Sequence, residues 1–484
     1  MNFSWTDVES ALQQDARRLP PSLLHGVQQH LHGLVFTPAS RRPLKLSWTP
    51  PRFSCSAKTP ARRGAPPRLI DVVLFSYELD LLELRMHELN ASVDVFVVVE
   101  APVTHRGVSK PLVFAEHARR FAAFASKTVH VVVSRATLHG PLQEATRAKW
   151  DEEQFYPIQI ALQQEAWAAA TAHVHDAARD LLILADVDEI PGAALLHELK
   201  WCEHRRGLPL LLYSDFYRFS FNHLLGINEW NAPVVVRKGD LPDGFDFIKW
   251  PGGKRQHDWA LSGHHLNRFG PPALQLYKHL SNGEGGSVPG GGVALLRDPE
   301  GYGRPLVERG VRLCCENDAP RTPTLPSASA LPHVVLQNLD AFRGMFSRAS
   351  WARTRAALAP DAALATSGRA PRIVVPPPGT SAPPKQLHSG GGGGGRPSTP
   401  RALAFFSRPE RPKPRAPPPR RPLAHAHAGR RARETHRAQV GGRARAGSGS
   451  GGARGATTHR RRLGRGFIHP SLRKKSSGHG DTVR

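Results

Sequence analysis

Three acids in four positions, Asp186, Asp188 and Glu189, follow the apolar run Leu181-Leu182-Ile183-Leu184 and the small Ala185, and Pro191 closes the segment. The run has the length and bulk of a buried strand, while its periodicity alone would also fit a buried helix segment. Pro191 cannot donate to a ladder, so the acids are expected where the strand stops. In an open α/β sheet, ligands gather outside the carboxyl ends of strands. If strand geometry persists, Asp186 and Asp188 share one face. Two carboxylates leaving an apolar strand repel each other and lose hydration unless positive charge stands between them. Oxygen-only ligands suit a hard divalent cation, Mn²⁺ or Mg²⁺, shared with the phosphates of a substrate. The plainer alternative is an acidic loop that caps the helix beginning near Ala193.

The elements that would carry these acids are legible upstream. Leu69 to Phe75 reads as a buried strand, Glu78 to Leu89 as a helix, and Val93 to Glu100 as a β-branched strand ending on an acid. Strand, helix and strand at this spacing make a βαβ unit and predict a parallel sheet. Thr128 to Ser134 supplies a third strand, and Glu152 to Ala178 a long helical region leading into the acidic segment. Ala193 to Arg206 then reads as helix and Leu208 to Phe221 as strand. Within that strand, Ser214 to Phe221 alternates aromatic and polar residues as a strand lining a cleft would. Leu331 to Phe346 reads as a closing strand or loop followed by helix, and Leu12, Leu23, Val27 and Leu31 give amphipathic helix near the start, interrupted at Pro20-Pro21.

Composition divides the chain. Of the net charge of +26, residues 381–484 hold 24 basic against three acidic side chains, so the first 380 residues carry about +5, ordinary for a globular enzyme. Six consecutive glycines from Gly390, Pro417-Pro418-Pro419 and a Gly-Ser run near 450 mark residues 381–484 as a disordered tail that cannot bury a core. Such an Arg-rich tail is either a non-specific contact for nucleic acid or another polyanion, or has no specific role. The expected organisation is therefore a helical and linker region over 1–66, a catalytic domain over 67–347, a linker over 348–380 and the tail. Cys55, Cys202, Cys314 and Cys315 form no Cys-x-x-Cys pair, and a Cys202–Cys314 disulfide is conceivable. No run of 18 apolar residues and no signal-peptide layout appears, so a soluble, non-secreted chain is the literal expectation.

Several motifs, in order, resemble glycosyltransferase family 17. They are Phe75-Ser76-Tyr77-Glu78-Leu79-Asp80 through Leu89 with Val93 to Glu100, then Lys110-Pro111-Leu112-Val113-Phe114, then Asp186-Val187-Asp188-Glu189-Ile190-Pro191, and finally Asn338-Leu339-Asp340-Ala341-Phe342-Arg343. Gly263-His264-His265 stands where the family has Gly-Trp-His. The resemblance covers about residues 68–346. It implies a GT-A-like α/β fold with a mostly parallel sheet. It also implies an inverting enzyme that moves N-acetylglucosamine from UDP-GlcNAc, or another sugar from a UDP-sugar, to a mannose of an N-glycan or glycoprotein acceptor through a β-1,4 linkage. A Golgi or secretory-pathway location follows from the resemblance alone.

On that reading Asp186 and Asp188 hold the cation, which neutralises the departing diphosphate. Inversion in one displacement needs one general base at the acceptor hydroxyl. Glu189, Asp215, Asp258 and His265 are the candidates, and Glu189 could instead orient the metal ligands. Glu78, Asp80 and Glu100 are candidate substrate contacts; for the first two the alternative is stabilisation of a helix start, and for Glu100 an ordinary ion pair. Lys249, Lys254 and Arg255 could hold diphosphate or form a solvated basic loop. The competing reading is a polyanion-binding protein that acts through its tail and carries a degenerate transferase scaffold.

Overall fold

The computed structural model describes residues 3–14, 19–46, 53–57, 59–140, 156–203, 207–230, 232–240, 258–282, 292–313 and 322–366, all within the compact unit Met1–Pro409. The tail, the basic residues Lys249, Lys254 and Arg255, and Cys314-Cys315 lie outside the described residues. In chain order the helices are α1 (Trp5–Gln14), α2 (Pro21–Val35), α3 (Leu79–Leu89), α4 (Val113–Glu116), α5 (Tyr156–Thr171), α6 (Ala193–Trp201), α7 (Pro272–Asn282), α8 (Gly292–Arg297), α9 (Arg304–Glu308), α10 (His333–Gln337) and α11 (Trp351–Thr366). The strands are β1 (Leu69–Leu74), β2 (Val95–Glu100), β3 (Thr128–Val132), β4 (Leu181–Asp186), β5 (Glu189–Ile190), β6 (Leu210–Arg218), β7 (Ser220–Trp230), β8 (Val234–Arg237) and β9 (Asp258–Asn267).

The strands form one sheet in the order β3-β2-β1-β4-β8-β6-β9-β5, with β7 paired to β6. The first four run parallel, as the βαβ spacing predicts, and β8 enters antiparallel between β4 and β6. Both faces of β1, β2 and β4 are buried, which explains why these strands are continuous apolar runs and not alternating ones; the edge strand β3 is half-buried. Leu69, Val73, Phe96, Val98, Leu181 and Ile183 pack in one core with residues of α3, α6 and α10. Ile70, Val72, Val95, Val97, Leu182 and Leu184 pack in another with Ile158, Leu162 and Ala166 of α5. A third cluster joins α1 and α2 to α7 and α8 through Val8, Leu24, Val27, Leu31, Leu276 and Leu280.

Four expectations need adjustment. The long helix is Tyr156–Thr171, with turns after it, and α6 stops at Trp201, where Arg62 caps the carbonyls of Leu199 and Cys202. Over Leu331–Phe346 the alternative of a loop followed by helix holds and the strand does not: Pro332 precedes the short helix α10, and a 3₁₀ turn follows at Arg343–Met345. Its Asn338 turns its side-chain amide back to the Val334 carbonyl, which closes that helix. Cys202 is disulfide-bonded to Cys55, not to Cys314, because Pro60 and Ala61 run beside the end of α6.

One ion pair makes the packing of α10 on α3 pH-dependent. His333 Nδ1 lies 2.9 Å from the buried Glu88 carboxylate. Burial pulls His333 down, but the hydrogen bond and charge of Glu88 outweigh it and hold the imidazole above its ordinary 6.5. Glu88 is pushed up by burial and brought below 4.5 by His333 and two backbone N–H groups. The histidine therefore stabilises the fold fully below pH 6.5 and loses that contribution as pH rises through its raised pKa. Glu88 contributes above pH 4.5 and loses its contribution as pH falls through its lowered pKa. Urea unfolding of His333→Gln should show its largest deficit against wild type near pH 5.5 and a smaller one at pH 8.5.

Candidate active site at the carboxyl end of the sheet

Chain order reverses between β1 and β4: β2 and β3 lie on one side of β1, and β4 on the other. Their carboxyl ends meet at Leu74 and Asp186, which are partners in the register. This is the position where an open α/β sheet leaves a crevice for ligand. A recess lined by Val72, Leu74, Gln163, Ala166, Leu184, Ala185 and Asp186 lies there.

The strand ends at Asp186, as Pro191 and the three acids predict. Val187 and Asp188 form a turn, and Glu189-Ile190 starts the two-residue strand β5, antiparallel to His264-His265 of β9. Strand geometry does not persist to Asp188, so the two aspartates do not share a strand face. Asp186 is half-buried at the rim, whereas Asp188 is buried. The turn is held from beneath by Arg85 of α3, whose side chain is fully buried. Its guanidinium makes two bonds to Asp71 of β1, at 2.7 and 2.6 Å. Nη1 donates to the carbonyls of Glu189 at 2.6 Å and Asp186 at 3.3 Å. Glu189 closes the turn from within: Oε2 accepts from the Asp186 N–H at 2.8 Å and Oε1 from the Trp230 indole at 2.9 Å. Gly263 lets β9 pass close to this turn, since a Cβ there would stand 2.4 Å from the Ile190 carbonyl oxygen and its φ is +101°.

The charge that two desolvated acids require comes from the chain itself. Lys278 of α7 places Nζ 2.9 Å from Asp188 Oδ2 and 2.9 Å from Glu78 Oε1. Burial pulls the ammonium down, but Asp188 and Glu78 outweigh it and hold the pKa well above 10.5. Burial raises Glu78, with Lys278 offsetting part of that shift. Glu78 precedes α3 without capping it through its side chain; its carboxylate turns to Lys278 instead. His265 is buried with Nε2 3.9 Å from Asp188 Oδ2. Its ring stacks on Phe216 at 4.8 Å and meets Trp230 at 4.1 Å. The preceding His264, which stands where the resembled family has tryptophan, is pulled down to about 4 by burial. It is thus a neutral ring packed into the sheet.

The structure gathers Asp186, Asp188, Glu189, His265 and Glu78 at one end of the sheet and leaves others elsewhere. Asp215 belongs to the same end, level with His264 in the register. Burial raises its pKa, although it accepts the Asn228 N–H at 3.0 Å. Asp258 begins β9 seven residues before His265, about 23 Å away along the strand, and its carboxylate binds the Gly207 N–H. Glu100 is fully buried, with Lys110 Nζ at 3.4 Å, His130 Nε2 at 3.3 Å and the Phe114 N–H at 3.0 Å. It anchors α4 to β2. Exposed Asp80 pairs with the buried Arg120, which also binds the buried Glu83 of α3. Three participants escaped the sequence reading: Lys278, Arg85 and Trp230. The first two carry a faint signal, a lone cation inside an apolar helical run (Leu276-Tyr277-Lys278-His279-Leu280 and Leu82-Glu83-Leu84-Arg85-Met86). Trp230 carries none.

Comparison with known proteins agrees with this geometry. Residues 50–241 match the model of glycosyltransferase family 17. The beta-1,4-mannosyl-glycoprotein 4-beta-N-acetylglucosaminyltransferases of Rattus norvegicus and Homo sapiens are each 44% identical to this chain over 54 residues. That of Mus musculus is 43% identical over 54 residues. These matches cover 11% of this chain and 10% of each relative, so the chain aligns with about a tenth of their length. No solved structure matches the chain. The resemblance read from the motifs therefore holds over residues 50–241.

Proposed function

We propose that this chain, whose residues 50–241 match glycosyltransferase family 17, is a nucleotide-sugar-dependent glycosyltransferase. UDP-GlcNAc is the donor in this reading, the acceptor is a mannose of an N-glycan or glycoprotein, and transfer is inverting and forms a β-1,4 linkage. The observation that carries the proposal is the braced acidic turn, Asp186 to Glu189, at the switch point between β1 and β4. A location in the Golgi or elsewhere in the secretory pathway accompanies the reading. No helix among the described residues is long and apolar enough to cross a membrane.

The donor set fits a hard divalent cation, Mn²⁺ or Mg²⁺: the Asp186 and Asp188 ligands are carboxylate oxygens. Lys278 already holds Asp188 Oδ2 at 2.9 Å, so an ion there would share that carboxylate with the ammonium while Asp186 stands at the rim. Asp186 and Asp188 would hold the ion, which when bound supplies charge neutralisation for a departing nucleoside diphosphate. Glu189 has both carboxylate oxygens engaged in the turn and acts by orienting Asp186. The base is drawn from the two remaining candidates at this end of the sheet. Asp215 has a carboxyl made more basic by burial, and His265 is held by aromatic stacking. Phe216 and Trp230 offer apolar ring faces of the kind that pack against sugar C–H groups.

The test is calorimetric titration of the full chain with UDP-GlcNAc, with and without Mn²⁺, beside Asp186→Asn and Asp188→Asn. Binding should require Mn²⁺ and weaken at least tenfold in either variant. A folded wild-type protein that binds no UDP-GlcNAc in the presence of Mn²⁺ would overturn the donor assignment, and other UDP-sugars would then be titrated.

A further inference from the structure

The end of the sheet opposite the acidic turn holds a second group of chemically capable side chains. Helix α6 runs away from the turn and finishes where Lys200 reaches Asp94 and the Ser92 carbonyl, just before β2. Cys202 follows it and is disulfide-bonded to Cys55 from the segment ahead of β1. A ring nitrogen of His197, on the same helix, and the two sulfur atoms all lie within 4.8 Å of one another. Among the described residues this is the one group of three or more metal-capable side chains so arranged. A recess opens on them, and the buried Glu198 shares its lining.

Bonds other than the sulfur–sulfur bond also tie the segment ahead of β1 to α6. The Arg62 N–H donates to the Trp201 carbonyl at 2.9 Å, and the Glu203 N–H to the Pro60 carbonyl at 2.8 Å. The Arg62 guanidinium donates to the carbonyls of Leu199, Lys200 and Cys202. The segment carrying Cys55 is thereby pinned to the end of α6 by main-chain bonds and by one cation on orphan helix carbonyls. Two thiolates and one imidazole form a donor set for zinc, with a fourth position left to a carboxylate or water.

We propose that Cys55, Cys202 and His197 form a redox-gated zinc site. In the oxidised protein the cysteines are the disulfide. A dithiol, oxidised to its own disulfide, or a phosphine, oxidised with one water to its phosphine oxide, supplies two electrons and two protons, and the sulfur–sulfur bond opens to two thiols. Zn²⁺ then binds both sulfurs as thiolates together with His197, and the two protons pass to solvent. The reading concerns the amino end of the sheet and stands apart from transferase activity.

The experiment uses the full chain, either oxidised or reduced with a phosphine and freed of it, equilibrated with Zn²⁺ or Co²⁺. Metal analysis should find one tightly held zinc in the reduced protein and none in the oxidised protein. Co²⁺ should give the intense thiolate-to-metal absorption of sulfur ligation. Cys314→Ser/Cys315→Ser should retain both signals. His197→Ala, whose fold is verified in the oxidised, disulfide-bonded state, should bind zinc at least about tenfold more weakly. The proposal is overturned if the reduced wild type holds no stoichiometric zinc. It is equally overturned if Cys55→Ser/Cys202→Ser or His197→Ala binds zinc as tightly as wild type.

Discussion

Arg85→Met should lower unfolding free energy by about 3–5 kcal/mol, the loss expected when one partner of a buried ion pair is removed. Both partners are sealed from water: the Arg85 and Asp71 side chains are 0% and 1% exposed. Methionine fills much of the volume but leaves the Asp71 carboxyl without its partner in the core, and the Asp186 and Glu189 carbonyls lose a donor. Arg85→Met/Asp71→Leu removes both charges and should recover most of the stability in urea unfolding, because the uncompensated carboxylate is gone. Donor binding should not recover with it, since the turn still lacks the guanidinium. The two readouts separate the stabilising role of Arg85 from its positioning role. A double variant that regains both would mean that the bond from Arg85 to the turn is dispensable.

Lys278→Met should be comparably severe, and for a different reason. Here one cation serves two acids, so its loss leaves Glu78 and Asp188 buried near each other with like charge. A loss of about 3–5 kcal/mol is expected near neutral pH. Lys278→Met/Glu78→Gln should restore part of it by removing one of the opposed charges. Lys278→Arg keeps the charge, but its planar fork replaces the compact ammonium and should be tolerated less well than charge alone implies. If Lys278→Met unfolds at the wild-type urea concentration, the two 2.9 Å ion pairs do not support the fold.

Much of the fold could be read from the chain because the parallel half obeys local rules. Unbroken apolar runs such as Val95 to Val99 leave little choice but a strand covered on both faces, and the helix between β1 and β2 has the right length to cross over. The acidic turn was legible because an apolar strand that gives way to three acids must release them at the sheet end. The antiparallel half was less legible. β7 is shaped by bulged pairing to β6, and β9 could not be joined to its neighbours without knowing that β8 inserts beside β4. Local pattern does not show a side chain's partners where these come from distant elements. Glu100 ends its strand as predicted, yet Lys110, His130 and an amide claim its carboxylate. Asp258 lies close to His265 in sequence but at the far end of an extended strand. Lys278 is surrounded in sequence by apolar helix, while its two partners, Glu78 and Asp188, lie on other elements.

The third apolar cluster has a consequence for what counts as the minimal folded piece. Helices α1 and α2 precede residue 50, where the family match begins. Yet Leu24, Val27 and Leu31 cover Leu276, Tyr277 and Leu280 of α7, and Gln28 hydrogen-bonds the Leu280 carbonyl and the Ser281 hydroxyl. A protein trimmed to start near residue 60 would bare that hydrophobic surface and invite aggregation. It would also release the helix whose Lys278 balances Glu78 and Asp188, and it would discard Cys55. The second opening helix thus buttresses the site from a distance, since α2 is the element packed on the helix that carries Lys278.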